Sequence, residues 1–469
     1  KSRMETSKIS PSSTGPTRGD SQAPWYSEVT RYQWIVLVIA CLGWIFDVFE
    51  GQIFVASMNE AMPSLLPPGT DKGTIAYYNN IAFGAFLLGG ALGGVVFGVM
   101  SDRIGRTKTM VYTILMYSMF TCVTAFAHNW WQMSILRFFV AMGVGGEWAV
   151  ASAMVAEVFP KRARAWSLGI FHASSVLGTY LAIAAGVWLV GNPKFGWRWG
   201  FGVGAIPALL ILWIRSGLKE PTQWVDAKEK GKRDESKKTG RLADLFLPGI
   251  ARSTIIGVIL AAVGLATFWG VHVYGKDLLR RNAEYRFLQQ ANVTLDAPKE
   301  IKAPVLAQYK PQIKSAEMLG MLLVTTGGGL GLLCFGPLCE RLGRRGTFLF
   351  FHIGGLVAAL ALFQGLVNPS TTVLYVVLPI FGYLTLGMHA GYAIYFPELF
   401  PTRVRGTGGG FCFNVGRIIA APILFLSGWM QKDWGFSLEN SASLLSLLFL
   451  VGIVALLFAP ETKGQELPE

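Results

Sequence analysis

The chain has 469 residues, a length that in water-soluble proteins usually corresponds to about three domains. The composition excludes that class, because 52% of the residues are apolar and only 15% are charged, whereas about 25% of a typical soluble chain is charged. The formal net charge is +13, but no basic stripe interleaved with aromatic residues lies outside the apolar segments, so we expect no nucleic-acid partner.

The chain starts with a polar stretch and continues with long apolar segments. Residues 1–30 are rich in Ser, Thr, Pro and Gly, and we expect them to form a disordered cytoplasmic tail. Twelve segments follow that are each long enough to cross a hydrocarbon core of about 30 Å. They cover residues 33–57, 75–100, 106–127, 130–156, 164–190, 197–217, 253–275, 317–338, 345–366, 371–396, 406–429 and 441–459. The sequence therefore predicts an all-α membrane protein with twelve transmembrane helices.

The twelve segments divide into two bundles of six. We expect an N-terminal bundle at residues 31–217, a cytoplasmic linker at 218–250 and a C-terminal bundle at 251–459. The second bundle contains a long outer loop at residues 276–315, and a tail follows at residues 460–469. Loops of that length are usually functional or disordered.

Two charged motifs occur twice. Residues 102–106 (DRIGR) return as residues 340–344 (ERLGR), and residues 157–164 (EVFPKRAR) return as residues 398–405 (ELFPTRVR), at offsets of 238 and 241. Offsets this similar indicate that the first six-helix unit has been duplicated. Many secondary transporters are built from duplicated sets of membrane helices with the substrate site between the repeats. We therefore expect a transporter with two pseudo-symmetric halves.

The basic residues indicate the orientation. With both termini inside, the inner segments hold 26 Lys and Arg residues and the outer segments hold 12, eight of which lie in the long outer loop. Because short cytoplasmic loops retain positive charge and long loops count little, both termini are predicted to be cytoplasmic. We expect a multi-pass protein of the plasma membrane, which in a bacterium is the inner membrane.

The charged side chains of the repeated motifs, with one acid after the last helix, all fall on the predicted cytoplasmic face. An exposed ion pair is worth only about 0–1 kcal/mol, so a network is needed to hold the inner ends of the two halves together. We predict such a gating network; the alternative is that these residues only anchor loops to lipid headgroups. The network comprises Asp102, Arg103, Arg106, Glu157, Arg164, Glu340, Arg341, Arg344, Glu398, Arg405 and Glu461.

The repeated motifs resemble the signature loops of the major facilitator superfamily. Residues 460–464 (PETKG) after the last helix resemble the sugar-porter-like branch and its relatives that carry organic acids. The resemblance spans all twelve segments and implies alternating access around a central cavity lined by helices 1, 4, 7 and 10. Residues 46–50 (FDVFE) and 143–148 (GVGGEW) look like those of aromatic acid, sialic acid and monocarboxylate proton symporters, many of which have Asp where this chain has Glu50.

Ionisable residues inside a membrane are costly to bury and are therefore candidates for function. Asp47 and Glu50 lie on one face of helix 1, and at about 1.5 Å of rise per residue their depth matches that of Arg137 in helix 4. Two carboxylates facing an arginine suit proton coupling, so we assign that role to these three residues; the alternative is a static ion pair. Glu147 is expected to lie too far inward to meet them.

Arg417 is the leading candidate for contact with the substrate. It is predicted near the membrane midplane, with Asn414 one turn earlier and no acidic residue in its own helix. Such a guanidinium suits a substrate carboxylate; the alternative is a backbone carbonyl or a neighbouring helix as its partner. Helices 7 and 10 add further candidate cavity residues, namely Trp269, His272, Tyr274, His389, Tyr392 and Tyr395.

Together these features predict a secondary active transporter that moves a small organic anion, a monocarboxylate, with protons by alternating access. The resemblance implies paired glutamines in helix 7 of a hexose porter, and this chain lacks them. A sugar:proton symporter and a non-transporting membrane sensor on the same scaffold are the alternatives. The histidines are scattered and form no catalytic or metal-type spacing, so we expect no enzyme, no metal and no cofactor besides the proton gradient. The functional unit is expected to be a monomer in the lipid bilayer.

The predicted topology can be tested by cysteine labelling. Pro304→Cys in the long outer loop should react with a membrane-impermeant maleimide added outside intact cells. Lys232→Cys in the linker should react only after the membrane has been made permeable, because the positive-inside bias places the linker in the cytoplasm. The reverse labelling pattern would contradict this orientation.

Overall fold

The structure is a computed structural model that describes residues 24–70, 72–190, 194–209, 213–214, 217–234, 238–366, 370–432 and 434–469. Its α-helices are Arg31–Ser64 (α1), Lys72–Ile104 (α2), Arg106–Thr124 (α3), Trp130–Val158 (α4), Lys161–Ala173 (α5), Ser175–Ala185 (α6), Trp197–Gly202 (α7), Thr222–Arg233 (α8), Ala251–Gly270 (α9), Gly275–Gln290 (α10), Lys299–Gln308 (α11), Lys310–Leu360 (α12), Thr371–Leu386 (α13), His389–Leu399 (α14), Arg405–Lys432 (α15), Leu438–Ser446 (α16) and Leu448–Phe458 (α17). Most of the predicted disordered tail, residues 1–23, lies outside the described residues.

The described residues contain eight helical runs that are long and apolar enough to cross a membrane. One of these runs includes α12, which covers two of the predicted segments because the helix continues through a kink at Gly343. The φ of 77° at this residue is one that glycine adopts without strain. The third and eleventh predicted segments correspond to α3 and α15, and the sixth corresponds to the helical turns of residues 197–208. The all-α prediction agrees with this architecture.

Several predicted transmembrane helices are interrupted. The fifth is divided at Ser174, the seventh at residues 271–274, the tenth at Gly387 and the twelfth at Leu447. After the break in the seventh, α10 continues to Gln290 and α11 follows, so most of the long outer loop is helical.

The two halves meet along two helix pairs that are lined by glycine. Between α2 and α15, a methyl group placed on Gly98 would lie 2.7 Å from the Gly406 carbonyl oxygen. Between α5 and α12, a methyl group placed on Gly336 would lie 2.6 Å from the Ala165 carbonyl oxygen. Small residues let the backbones of membrane helices approach this closely. Both contacts lie near the repeated charged motifs.

The buried apolar clusters show the same difference between the two ends of the molecule as these helix contacts. One buried cluster contains residues from both halves, such as Trp148 and Tyr392. At the opposite end of the molecule the described residues form two separate clusters. One, around Phe54 and Phe201, belongs to the first half, and the other, around Phe381, belongs to the second. The halves are therefore joined at the end that carries the motifs and have separate cores at the other end.

Candidate transport site and inner gate

Helices α1, α3 and α4 enclose buried carboxyl groups. Asp47 and Glu50 of α1 and Arg137 of α4 are each at most 1% exposed. Thr121 of α3 donates a hydrogen bond of 2.7 Å to Glu50 Oε2. Arg137 donates to the Glu50 main-chain oxygen at 3.1 Å and to the Thr121 hydroxyl at 3.4 Å. The structure therefore brings the three residues selected for proton coupling into one cluster.

The contact between Arg137 and the two acids is indirect. Among the residues that the structure describes, no ion pair within 4.0 Å joins Arg137 to Asp47 or Glu50. The guanidinium carbon instead lies 5.0–5.8 Å from the centres of three aromatic rings, those of Phe54, Phe86 and Phe201. Neither carboxylate oxygen of Asp47 has a hydrogen-bond partner. The predicted direct facing of arginine and carboxylates is thus replaced by a bridge through Thr121 and the α1 backbone.

Glu147 lies much closer to Asp47 than we expected. Its Oε1 is 3.0 Å from the position of a methyl group placed on Gly43, which is one turn before Asp47 on the same face of α1. The Thr113 hydroxyl of α3 donates to Glu147 Oε2. Glu147 therefore lies close enough to interact electrostatically with Asp47, and the expectation that it is too far inward to meet that acid is wrong. The depth estimate counted from the outer end of helix 4, whereas α4 continues to Val158 and so places Glu147 well away from its inner end.

Arg417 and Asn414 of α15 both face glycines of α2, but their surroundings differ. Arg417 Nη1 lies 2.5 Å from the position of a methyl group placed on Gly90. The side chain is half-buried, and within the described part of the chain it has no hydrogen bond or ion pair. Asn414 is fully buried, packs against Gly94 and donates to the Gly410 carbonyl at 2.9 Å. Arg417 is thus a cation with unused donors, whereas Asn414 packs between two helices.

The two candidate histidines lie close to the centre of the second half. His272 Nδ1 is 2.7 Å from the Thr385 hydroxyl, and His389 Nε2 is 3.2 Å from the Gly264 carbonyl oxygen. Their exposed fractions are 5% and 6%. The Phe268 ring stacks on His272 and meets His389 edge-on. Both imidazoles are therefore held at one polar atom and retain little accessible surface.

The candidate tyrosines are poorly placed to contact a substrate. Tyr392 and Tyr395 have no exposed surface, and their hydroxyls donate to the carbonyls of Leu260 at 2.9 Å and Pro460 at 2.5 Å. The structure gives both rings packing contacts and contradicts their assignment to an open cavity. Tyr274 is half-buried in the turn between α9 and α10, and the side chain of Trp269 lies outside the described ones.

An aromatic stack that sequence analysis does not select joins the two halves. The rings of Trp148 on α4 and Phe413 on α15 are 4.3 Å apart and nearly parallel. Trp148 Nε1 donates to His172 Nδ1 of α5 at 3.1 Å. The Arg417 guanidinium carbon lies 5.4 Å from the Phe413 ring centre. Trp148 directly follows Glu147 in the GGEW string, and this adjacency is the signal that could have found it.

The repeated motifs meet in a buried ionic network, which we call the inner gate. Glu157 of α4 accepts from Arg106 of its own half at 2.7 and 3.1 Å and from Arg405 of the other half at 2.8 Å. Asp102 pairs with Arg106 at 2.5 Å and accepts from the main-chain N–H and the hydroxyl of Thr407 at 2.7 and 2.6 Å. A carboxylate is stabilised at the N-terminus of a helix, which here is α15. Asp102 and Glu157 therefore each connect the two halves.

The second half repeats only the part of this network that lies within one half. Arg344 donates to both oxygens of Glu398 at 2.9 and 2.7 Å and pairs with Glu340 at 3.2 Å. A symmetric gate would also pair Glu398 with Arg164. Arg164 Nε donates to the Ala156 carbonyl at 3.0 Å, as Arg405 Nε does to the Pro397 carbonyl at 2.9 Å, but the described residues contain no ion pair between Arg164 and Glu398 within 4.0 Å. The buried ionic connection between the halves is therefore made by Glu157 and not by Glu398, and an exposed ion pair of 3.3 Å between Lys161 and Glu466 joins the halves on the other side.

Glu220 belongs to a third pair of repeated acids and was missed in the sequence, although its counterpart Glu461 was predicted for the gate. Glu461 accepts from the main-chain N–H groups of Arg344 and Arg345 at 2.9 and 3.1 Å. Glu220 accepts in the same way from Arg106 at 2.7 Å, at the equivalent helix start in the first half. Burial raises the pKa of Glu461, but the N–H groups that donate to it hold that pKa below its ordinary value. Positions 220 and 461 differ by 241, the same offset as the second motif, and this repeat was the available signal.

Two arginines assigned to the gate lie outside it. Arg341 is exposed, and its carbonyl accepts from Lys463 at 3.1 Å. Arg103 is also exposed, and it donates to the carbonyl of Gly240 in the linker at 3.2 Å. The Gly240 N–H in turn donates to the Arg403 carbonyl of the second half at 2.8 Å. Arg103 thus binds the backbone of the linker and not a carboxylate.

Comparison with known proteins identifies the family. Residues 51–423 match the family model described as Major Facilitator Superfamily. The chain belongs to this family. It is 30% identical over 446 residues to the cis,cis-muconate transport protein of Acinetobacter baylyi, covering 93% of this chain and 97% of that protein. Similarity at 25–26% identity extends to a probable 4-methylmuconolactone transporter of Cupriavidus pinatubonensis, with 94% and 93% covered, and to the sialic acid transporter NanX of Escherichia coli, with 91% and 96% covered.

Solved structures agree on the fold. The proton:xylose symporter XylE bound to 6-bromo-6-deoxy-D-glucose matches with a TM-score of 0.70 at 16% identity, covering 93% of this chain and 98% of that one. The human organic anion transporter MFSD10 matches with a TM-score of 0.64, also at 16% identity, covering 90% and 99%. The chain is therefore a multi-pass membrane transporter of two six-helix halves, as predicted, and not an enzyme.

The inner gate can be tested by removing one charge. Glu157→Gln leaves two buried guanidinium groups without their shared carboxylate, and breaking a buried ion pair in this way costs about 3–5 kcal/mol. We expect the closed end to open, so that spin labels at Lys108→Cys and Leu342→Cys, one on each half, show a longer distance in double electron–electron resonance. Glu340→Gln is the matched control, because Glu340 is 33% exposed and pairs within its own half. An unchanged distance in Glu157→Gln would remove Glu157 from the gate.

Proposed function

We propose that this protein is a secondary active carrier that moves a small organic anion, a monocarboxylate, together with protons by alternating access. It acts as a monomer in the plasma membrane, the inner membrane of a bacterium, with both termini in the cytoplasm and with the proton gradient as its energy source. The inner gate then lies on the cytoplasmic side, and the structure corresponds to a carrier closed toward the cytoplasm.

The proposal rests above all on the surroundings of Arg417, which lacks a partner among the described residues. A guanidinium inside a membrane protein is costly to leave without a partner. Arg417 has unused donors, is half-buried beside Phe413, and lies where the two halves meet. A carboxylate is the ligand whose two oxygens match the planar fork of a guanidinium, so the substrate would supply the missing charge.

The relatives support an acid and not a sugar. The relatives named above transport muconate, 4-methylmuconolactone and sialic acid by their names, and a further relative in Corynebacterium glutamicum, 25% identical over 420 residues, is a gentisate transporter. The likeness to XylE is at 16% identity and supports the fold alone. A sugar:proton symporter remains the second candidate, and the competition experiment below distinguishes the two.

Proton coupling rests on the carboxyl groups of the first half. Asp47 has no hydrogen-bond partner, and Glu50 meets Arg137 only through Thr121 and its own main chain. Neither acid is held in a direct ion pair, so each can bind and release a proton without first breaking one. The protonation of a buried carboxyl group changes the charge of the first half by one unit, which is a large change where water is excluded.

Helix α2 is the physical connection between the proton site and the substrate site. Gly90 of α2 faces Arg417 of the second half on one side and Gly145 of α4 on the other. Gly145 is two residues before Glu147. A change of charge around α4 can therefore shift α2 against α15, because close-packed helices move as rigid bodies and do not deform continuously.

Proton coupling can be tested with Asp47→Asn, which keeps the size of the side chain and removes its titratable proton. In liposomes we expect uptake driven by an inward proton gradient to fall about 100-fold, whereas exchange of labelled for unlabelled substrate across the membrane continues. Glu60→Gln, at an exposed position near the outer end of α1, should behave as wild type. Full acceleration of Asp47→Asn by the gradient would refute the assignment.

The substrate contact can be tested at Arg417. Arg417→Lys keeps the charge and loses the bidentate fork, so binding should weaken about ten-fold, and Arg417→Ala should abolish it. Uptake of labelled gentisate and labelled sialic acid, which are both monocarboxylates, provides the measurement, with a panel of unlabelled carboxylic acids, glucose and xylose as competitors. Carboxylates should inhibit and the neutral sugars should not. Inhibition by glucose or xylose, with none by carboxylates, would reverse the choice in favour of the sugar.

A further inference from the structure

Three buried carboxyl groups follow one another through the first half. Glu50 lies beside Arg137 and Thr121, Asp47 is one turn along α1, and Glu147 faces Gly43 a further turn along. Each acid is at most 1% exposed. The row leads from the Glu50–Arg137 cluster toward the inner gate.

The row contains unsatisfied polar atoms that point to proton exchange. Among the described residues, both oxygens of Asp47 and Oε1 of Glu147 lack hydrogen-bond partners. The Tyr117 hydroxyl of α3 is fully buried, has no partner, and lies close enough to interact electrostatically with Asp47, Glu147 and Glu50. Buried polar groups are normally paired, so this many unpaired oxygens around one point call for an explanation.

The charges in the cluster supply that explanation. The groups that face it are three carboxyl groups, the guanidinium of Arg137, and the hydroxyls of Thr113, Tyr117 and Thr121. His172 of α5 lies beyond Trp148 and accepts a hydrogen bond from it. One guanidinium can balance only one carboxylate, and an unbalanced buried carboxylate costs several kcal/mol. We therefore expect two of the three acids to carry a proton.

We propose that Glu147 is a second proton-binding residue of the carrier and forms, with Asp47, the inner end of a relay that begins at Glu50. With the relay at rest, Glu50 is ionised beside Arg137, and Asp47 and Glu147 hold the two protons. When Glu147 releases its proton toward the cytoplasm, the proton of Asp47 passes to the Glu147 carboxylate. Asp47, now ionised, then takes the next proton that arrives at Glu50.

Thr113 is the positioning residue of this relay. Its hydroxyl donates to Glu147 Oε2, and this leaves Oε1 directed at α1. Gly43 provides the room, because a methyl group there would lie 3.0 Å from Oε1. The direction of proton flow through the relay rests on the proposed function. The protonation of Glu147 does not, because it is a property of the protein without substrate.

Infrared spectroscopy of the purified protein tests that protonation directly. Buried protonated carboxyl groups give a carbonyl stretching band that an ionised carboxylate lacks. In Glu147→Gln the intensity of this band at neutral pH should fall by about half, because one of two protonated acids has been removed. Glu60→Gln, with the same change at an exposed position, should leave the band unchanged. An unchanged band in Glu147→Gln would overturn the proposal.

Thr113→Val provides a second variant that retains the carboxyl group. Valine has nearly the volume of threonine, so removal of the hydroxyl should shift the frequency of the Glu147 band without removing its intensity. If Glu147→Gln does not fold, Thr113→Val still tests the proposal. An unshifted band in folded Thr113→Val would count against it.

Transport separates the relay from the proposed function. In liposomes loaded with a pH-sensitive dye, uptake of labelled gentisate or sialic acid by Glu147→Gln should lose its proton movement, while exchange of labelled for unlabelled acid continues. Proton movement that persists in Glu147→Gln at the wild-type ratio would refute the relay and leave proton symport intact. If the wild type itself moves no protons with either acid, the proposed symport fails, and the infrared result still decides whether Glu147 is protonated.

Discussion

The ion pair between Glu157 and Arg405 is the constraint on which the observed conformation depends. It joins the two halves inside a network with no solvent exposure, and Asp102 adds a second connection at the start of α15. Buried charges that lose their partner are strongly destabilising, so the halves cannot separate here by a gradual movement. The gate is either closed or open. At the opposite end the described residues of the two halves form separate apolar cores.

The gate also explains why two similar halves can behave differently. Each half has an arginine that pairs with the acid of its own EVFP or ELFP motif, but only Glu157 also reaches an arginine of the other half. The linker strengthens the same side, where Gly240 connects Arg103 to the Arg403 backbone. Duplication therefore placed the same charged motif in both halves, and in the closed state only the acid of the first motif, Glu157, pairs with an arginine of the other half.

The functional charges are divided between the halves in the same manner. The first half holds a group of acids with one guanidinium, and the second half holds an arginine without a carboxylate partner in the described residues. Helix α2 separates them and packs on both sides through glycine. A carrier needs its driving ion and its substrate to act on one conformational equilibrium, and two charge changes on opposite sides of one rigid helix satisfy that need.

The sequence by itself determined the fold class, the duplication, and the grouping of Asp47, Glu50 and Arg137, because run length, repeated motifs and helical periodicity are local properties. Only the tertiary structure decided which charges meet. In the structure Glu147 lies beside Gly43 of α1, Tyr392 and Tyr395 of α14 are buried, and Arg103 and Arg341 are exposed outside the gate. Contacts between helices depend on axial rotation and crossing geometry, which the spacing of residues along one helix does not contain.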